Sequence, residues 1–208
     1  MEDPAKARRI IEAAIRLFAE RAYHEVRMED IAAQAQVAKG TLYLHYKDKE
    51  DLFQGIMHHQ LVTLVDQMEA TLQDRQDLPP EEKLLAMNRA VLGYFAQNPM
   101  LLDIMQRVEF FRFGTKSACV EETRGRLLAN LARILREFPS RANATDEEIT
   151  LEVVAHSGMM KEILHSLPRP WPEDLPQRVT RLFVHGVGSL ETGKTAAKPK
   201  TRANAARR

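Results

Sequence analysis

The sequence predicts an all-α protein of about nine helices, and three observations carry that reading. Apolar residues recur three and four apart from Ile10 to Leu190, while no segment sustains the alternation of a strand. Capping and breaking residues punctuate the chain at helix-length intervals. The 9 glycines and 10 prolines are too few for a β protein of 208 residues built on tight turns.

Each element has its own signal. Ile10, Ala14, Leu17 and Phe18 line one face of a first helix running from about Pro4, where proline suits the first turn, to about Arg21. A short helix with Met28, Ile31, Ala32 and Ala35 on one side follows. After Gln36-Val37-Ala38 comes a second short helix, from Lys39, with Leu42 and Tyr46 on its inner side. Asp48, three residues before Asp51, caps a long fourth helix from about Lys49 to Gln73. Pro79-Pro80 breaks the chain, and Glu81-Glu82 suit the positive end of a fifth helix that stops near Asn98-Pro99. Helices are then expected over Met100–Phe113 and from about Lys116 to Phe138, where Pro139 stops the second. Thr145 and Glu148 form a capping box for a helix closing at Leu167-Pro168, and a last helix runs from about Glu173 to Leu190. This divides the chain into a three-helix head over 1–48, a helical body over 49–190 and a tail over 191–208.

Composition narrows the class. Hydrophobic residues at 44% and charged residues at 28% are ordinary for a globular chain that buries a core. The most apolar stretch, Val91 to Met105, is interrupted by Gln97-Asn98-Pro99 and Asp103, so no membrane span is expected. The opening MEDPAKARR shows no apolar signal segment, and one cysteine, Cys119, forms no internal disulfide; both fit a cytoplasmic protein. The net charge of +1 is uneven: residues 1–190 are mildly acidic, whereas the tail holds six Lys or Arg against Glu191 alone. That tail has no large apolar residue and reads as disordered, either a solubilising end or a basic arm attracted to phosphates.

No enzyme motif emerges. The seven histidines never fall four apart around a glutamate, so no helical zinc site is expected, and no catalytic residue or cofactor is assigned. Gly186-Val187-Gly188 lacks the third glycine and the preceding strand of a dinucleotide loop. Cys119 reads as structural.

The run MEDIAAQAQVAKGTLYLHYKDKEDLF, Met28 to Phe53, is the informative one. Two short helices about three residues apart, braced by a longer one before them, make a helix-turn-helix. The second presents Thr41, Tyr43, Leu44 and His45 outward, groups that can reach phosphates or base edges in a major groove.

Together with RRIIEAAIRLFAERAY before it, this run resembles the TetR family of one-component transcriptional regulators, closely over residues 8 to 53. The resemblance implies a homodimeric, ligand-responsive DNA-binding regulator, most often a repressor of a palindromic operator. It places DNA contacts on Lys39, Thr41, Tyr43, His45, Tyr46, Lys47 and Lys49. Thr41 and Tyr43 offer hydroxyls, and Lys49 stands at a helix start that favours a phosphate. Tyr46 fits a core position better than a contact, and Lys47 fits a plain surface charge. The chain departs from the family pattern at Gln36, where the turn usually carries Gly, and at Arg27, where Thr or Ser usually caps the second helix.

For the body, the resemblance implies a small, largely apolar effector and a dimer interface through the last two helices. Candidate interface residues are Ile149, Val153, His156, Met160, Ile163, Leu164 and Leu167, then Val179, Leu182, Phe183, Val187 and Leu190, with Ser157-Gly158 allowing close approach. Met87, Phe95, Met100, Met105, Phe110, Phe111 and Phe113 read as core or as a malleable pocket, with Asn88, Gln106, Arg107, Glu109 or Arg112 turned inward. A reading of another class, an enzymatic or scaffolding body beneath a vestigial head, stays open because the head is mildly acidic and lacks the turn glycine.

Overall fold

The computed structural model describes residues 4–107 and 118–186. Among them it shows nine α-helices: α1 (Pro4–Glu20), α2 (Met28–Gln34), α3 (Lys39–His45), α4 (Lys49–Gln73), α5 (Pro80–Gln97), α6 (Pro99–Arg107), α7 (Ala118–Arg136), α8 (Asp146–Ser166) and α9 (Leu175–His185). A 3-10 turn at Pro139–Arg141, absent from the sequence reading, joins α7 to α8. The expected extension of α6 to Phe113, that of α9 to Leu190, and the whole tail lie outside the described residues.

The helix ends follow the predicted chemistry. Asp48 accepts from the Asp51 amide at 2.8 Å, while the Asp51 carboxylate accepts from the Lys47 amide at 3.1 Å. At α8 the Thr145 hydroxyl accepts from the Glu148 amide at 3.2 Å and the Glu148 carboxylate accepts from the Thr145 amide at 2.7 Å, a complete capping box. Arg27 precedes α2 with no side-chain cap, as expected. Gln36 does take the left-handed conformation, at φ 55°. The Gln36 amide donates to the Ala33 carbonyl at 3.1 Å and the Val37 amide to the Ala32 carbonyl at 3.0 Å, which closes α2 as a Schellman motif without its usual glycine.

In the head, α2 packs on α1 and α3 on α2, burying Ile10, Ala14, Leu17, Phe18, Ile31 and Leu42. In the body, α4 packs on α5 and α7, α5 on α9, and α7 on α8. The apolar cluster of the head continues through Leu52, Ile56 and Leu64 into the near half of the body, reaching Leu92, Leu102, Met160 and Val179. A second cluster, around Val65, Met68, Leu84, Leu131 and Ile134, fills the far half. The head and body thus share a core across residue 49, and α1 also packs directly on α6.

Ile149, Val153, His156, Met160 and Leu164 are all buried, and so is Val179. These six face the interior of their own chain, which corrects the expectation that they form a dimer surface. Helical spacing marks an apolar stripe but cannot say which of two packing partners covers it.

Local chemistry at two residues sets measurable stability effects. A left-handed non-glycine residue costs about 1–2 kcal/mol, so Gln36→Gly should raise the urea midpoint by the equivalent of about 1 kcal/mol without changing the slope. His156 is buried, and burial pushes its imidazole down from 6.5 to about 4. Between those values the unfolded chain binds a proton that the folded chain does not, so stability falls on acidification from pH 6.5 toward pH 4. The slope is about 1.4 kcal/mol per pH unit and the total roughly 3 kcal/mol. Urea melts across this range should show the loss in the native protein and a flatter profile in His156→Leu.

Candidate DNA-binding surface

The site is built around α3, a helix of seven residues with a single fully buried side chain, Leu42. Anchored there, it turns Tyr43 and Leu44 outward, 42% and 86% exposed. They are the exposed large hydrophobic side chains of the described head. Thr41 and His45 are half-buried beside them, and Lys39 and Lys47 are exposed. Tyr43 and Leu44 thus point outward, and Thr41 and His45 lie at the margins of that side.

Lys39 is not idle. Its ammonium lies 2.6 Å from the Glu29 carboxylate and 5.7 Å from the centre of the Tyr43 ring. The pairing holds the Lys39 ammonium above its ordinary value and the Glu29 carboxyl below its own. Both groups are exposed, so water screens the pair and its contribution to stability is small. Glu29 therefore presets Lys39 over Tyr43 at little cost, and a phosphate would have to displace the carboxylate.

Tyr46 is half-buried at the end of α3, and its ring lies over Gly55 of α4. A Cβ at Gly55 would come within 2.9 Å of the Tyr46 ring, so any larger residue there would force the ring to shift. Tyr46 is a packing residue in this arrangement, in line with its better fit to the core.

Lys49 is placed differently from the phosphate-facing position expected of it. Its ammonium donates to the carbonyls of Tyr23 at 2.7 Å and Val26 at 2.9 Å, with a longer contact to that of His24 at 3.5 Å. It also sits 4.5 Å from the centre of the Tyr23 ring. The Tyr23 hydroxyl donates to Glu50 at 3.0 Å, and burial with that acidic neighbour pushes the phenol upward. Phe18, Tyr23 and Phe53 form an aromatic triangle with ring centres 5.5 to 5.8 Å apart. The Lys49 side chain thereby braces the α1–α2 loop against α4. The sequence carried no sign of this, because the acceptors are main-chain carbonyls 23 to 26 residues away.

In the body, the Asn88 side chain is turned inward as the sequence allowed and is 1% exposed. Met87, Phe95 and Met105 are core, and Met100 lies at the surface. The side chains of Gln106, Arg107, Glu109, Phe110, Phe111, Arg112 and Phe113 lie outside the described residues. On α8, Leu151 is 70% and Val154 62% exposed, with Ala155 and Gly158 exposed beside them. No helix of the described residues is long and apolar enough to cross a membrane, and no group of three or more His, Cys, Asp or Glu among them could hold a metal.

The helix-turn-helix and the body beneath it both have counterparts among known proteins. Residues 10–56 match the family model for bacterial regulatory proteins of the tetR family. Over 70 residues, 34% of this chain, the sequence is 36% identical to the fatty acid metabolism regulator protein of Bacillus subtilis. Over 79 residues, 38% of this chain, it is 33% identical to an HTH-type transcriptional regulator of the same organism. The matched stretches span only 36% and 27% of those relatives' lengths. The fold as a whole is similar to the fatty acid degradation regulator FadR of Bacillus halodurans, with a TM-score of 0.76 at 24% identity, over 90% of this chain and 98% of that one. It is also similar to FadR of Bacillus subtilis in complex with stearoyl-CoA, with a TM-score of 0.74 at 24% identity, over 86% and 98%. Residues 10–56 are thus similar in sequence to the DNA-binding segment of tetR-family regulators, and the chain as a whole shares the fold of those solved structures.

Proposed function

We propose that the protein is a cytoplasmic, homodimeric repressor that binds a palindromic operator through α3 and is released by a small molecule with a long apolar part. The observation that carries this reading is the outward side of α3, where Tyr43 and Leu44 are exposed with Thr41 and His45 half-buried beside them, on a helix whose buried side chain is Leu42. Hydroxyls of Thr41 and Tyr43 serve phosphates, His45 serves a base edge or phosphate, and Lys39 and Lys47 add charge. Lys49 acts by holding the head in register rather than by touching DNA.

Two such helices must stand one DNA turn apart, about 34–36 Å, to enter successive major grooves. A dimer supplies that spacing. Its face in this reading is the exposed stripe of Leu151, Val154, Ala155 and Gly158 on α8, where small residues allow a symmetry-related helix to approach closely. Ligand entry into the body then changes the spacing by shifting α4 and α6, both packed against the head's own helices. The family neighbour that holds stearoyl-CoA supports a long acyl thioester as the effector class.

The test starts from a duplex selected from random DNA by the purified protein. Thr41→Ala with Tyr43→Ala should abolish binding with helicity unchanged. Leu151→Glu should give monomers that no longer bind it. Removing one cation that neutralises a phosphate lowers the slope of log affinity against log salt by roughly 0.9. Lys49→Met should weaken binding with that slope unchanged, whereas a reduced slope would return Lys49 to the phosphates. Full binding by the double mutant would overturn the proposed function.

Release makes a second prediction. Stearoyl-CoA and the operator should lower each other's affinity by the same factor, since coupling free energy is reciprocal. Identical stearoyl-CoA affinities with and without saturating operator would remove it as the effector.

A further inference from the structure

The described residues contain three buried side-chain polar atoms without a hydrogen-bond partner: Asn88 Oδ1, His156 Nε2 and Gln177 Oε1. They belong to three helices, α5, α8 and α9, and both Asn88 and His156 make a contact to α9. The Asn88 Nδ2 donates to the Thr180 hydroxyl at 2.9 Å. Gln177 stands one turn before Thr180 on the same face. The His156 ring meets Phe183, one turn after Thr180, edge-on with ring centres 4.9 Å apart. Gln177 to Phe183 is a rise of about 9 Å along the helix, so a single ligand of modest size can span all three positions.

The hydrogen bonding fixes what each atom can do. The Thr180 hydroxyl donates to the Pro176 carbonyl at 2.8 Å, so its oxygen is left to accept from Asn88. That bond sets the orientation of the Asn88 amide, with Nδ2 on Thr180 and Oδ1 facing inward as an unused acceptor. Gln177 Oε1 is an acceptor as well, and His156 Nε2 gives or takes one proton according to tautomer. Buried polar atoms are normally satisfied, and three left over within two turns of α9 ask for a partner. Burial keeps His156 uncharged near neutral pH, so no cation stands among them. Two carboxamide oxygens repel a carboxylate and attract O–H or N–H. Val91 and Leu92 of α5, Met160 of α8 and Val179 of α9 are buried apolar residues on the same three helices.

We propose that Asn88, Gln177 and His156 form the polar end of the effector site in the body, taking a neutral hydroxyl or amide N–H carried on an apolar chain. This rests on the ligand-responsive reading above and adds a requirement that an apolar chain alone does not meet. Thr180 is a positioning residue, because its hydroxyl holds the Asn88 amide in the accepting orientation.

The experiment is calorimetric titration of the full-length protein with four eight-carbon probes: octan-1-ol, octanamide, octanoate and 1-methoxyoctane. The alcohol and the amide should bind about tenfold more tightly than the ether and the carboxylate, the size of one well-made hydrogen bond. Asn88→Leu should bring the alcohol and the ether within about twofold of each other. Should Asn88→Leu fail to fold, Gln177→Leu is measured for the same loss of discrimination, and Thr180→Val should show it with every accepting atom still present. Equal binding of alcohol and ether by the native protein would leave the three atoms to buried water and overturn the proposal, as would octanoate binding best. The DNA-binding reading is judged separately on the selected duplex, so the two can fail independently.

Discussion

The Lys49 ammonium, gathered onto the carbonyls of Tyr23 and Val26 and against the Tyr23 ring, is the point at which the head is made part of the molecule. A loop of main-chain carbonyls needs donors when it is packed against a helix start, and a lysine at the first position of α4 supplies them. Around that bond the joint is closed by the aromatic triangle of Phe18, Tyr23 and Phe53 and by Tyr46 seated on Gly55. The Asp48 cap fixes where α4 begins. The position of α3 relative to α4 is therefore set by directional contacts on several sides rather than by the chain link alone.

A joint of this kind ties α4 to the head, and the packing of α1 on α6 gives the body a second hold on the same unit. One apolar cluster runs from Phe18 in the head to Val179 in the body. Close-packed interiors resist gradual deformation and favour discrete rearrangements. A ligand that parts α5 from α9 would act on the same cluster that supports α1. Coupling over this distance then needs no flexible hinge, only a body with two packings of unequal affinity for the ligand.

Much of this was legible in the sequence because it rests on local chemistry. The start of α4 at Lys49 and its end at Gln73 follow from a cap and a period, and the Thr145–Glu148 box announces α8. The outward face of α3 follows from Leu42 being its inner residue. What stayed hidden depends on partners far away in the chain. Lys49 was read from its place at a helix terminus, but its acceptors are distant carbonyls. The stripe from Ile149 to Leu164 was apolar enough for an interface and is spent on the chain's own core, while the exposed Leu151 and Val154 sit off that stripe. Thr180 and Gln177 gave no signal, since a polar residue on an amphipathic helix is normally solvent-facing.

The charge of the head bears on how a regulator of this kind would find its site. Residues 1–51 carry nine Lys or Arg against ten Asp or Glu. Several of those cations are already engaged, Lys39 with Glu29, Arg21 with Asp30, Arg8 with Glu12, and Lys49 with loop carbonyls. Non-specific binding to DNA is supplied almost wholly by unsatisfied positive charge, and a head so balanced has little to offer it. On the proposed reading, affinity would then come from close-range interactions of Thr41, Tyr43, Leu44 and His45 with groove and backbone. Wrong sequences would forgo those interactions and gain little electrostatic attraction from the head, so the ratio of specific to non-specific affinity would rise as the head's net charge falls. The acidic residues of the head, which by themselves argue against nucleic acid, would in this setting be a source of selectivity.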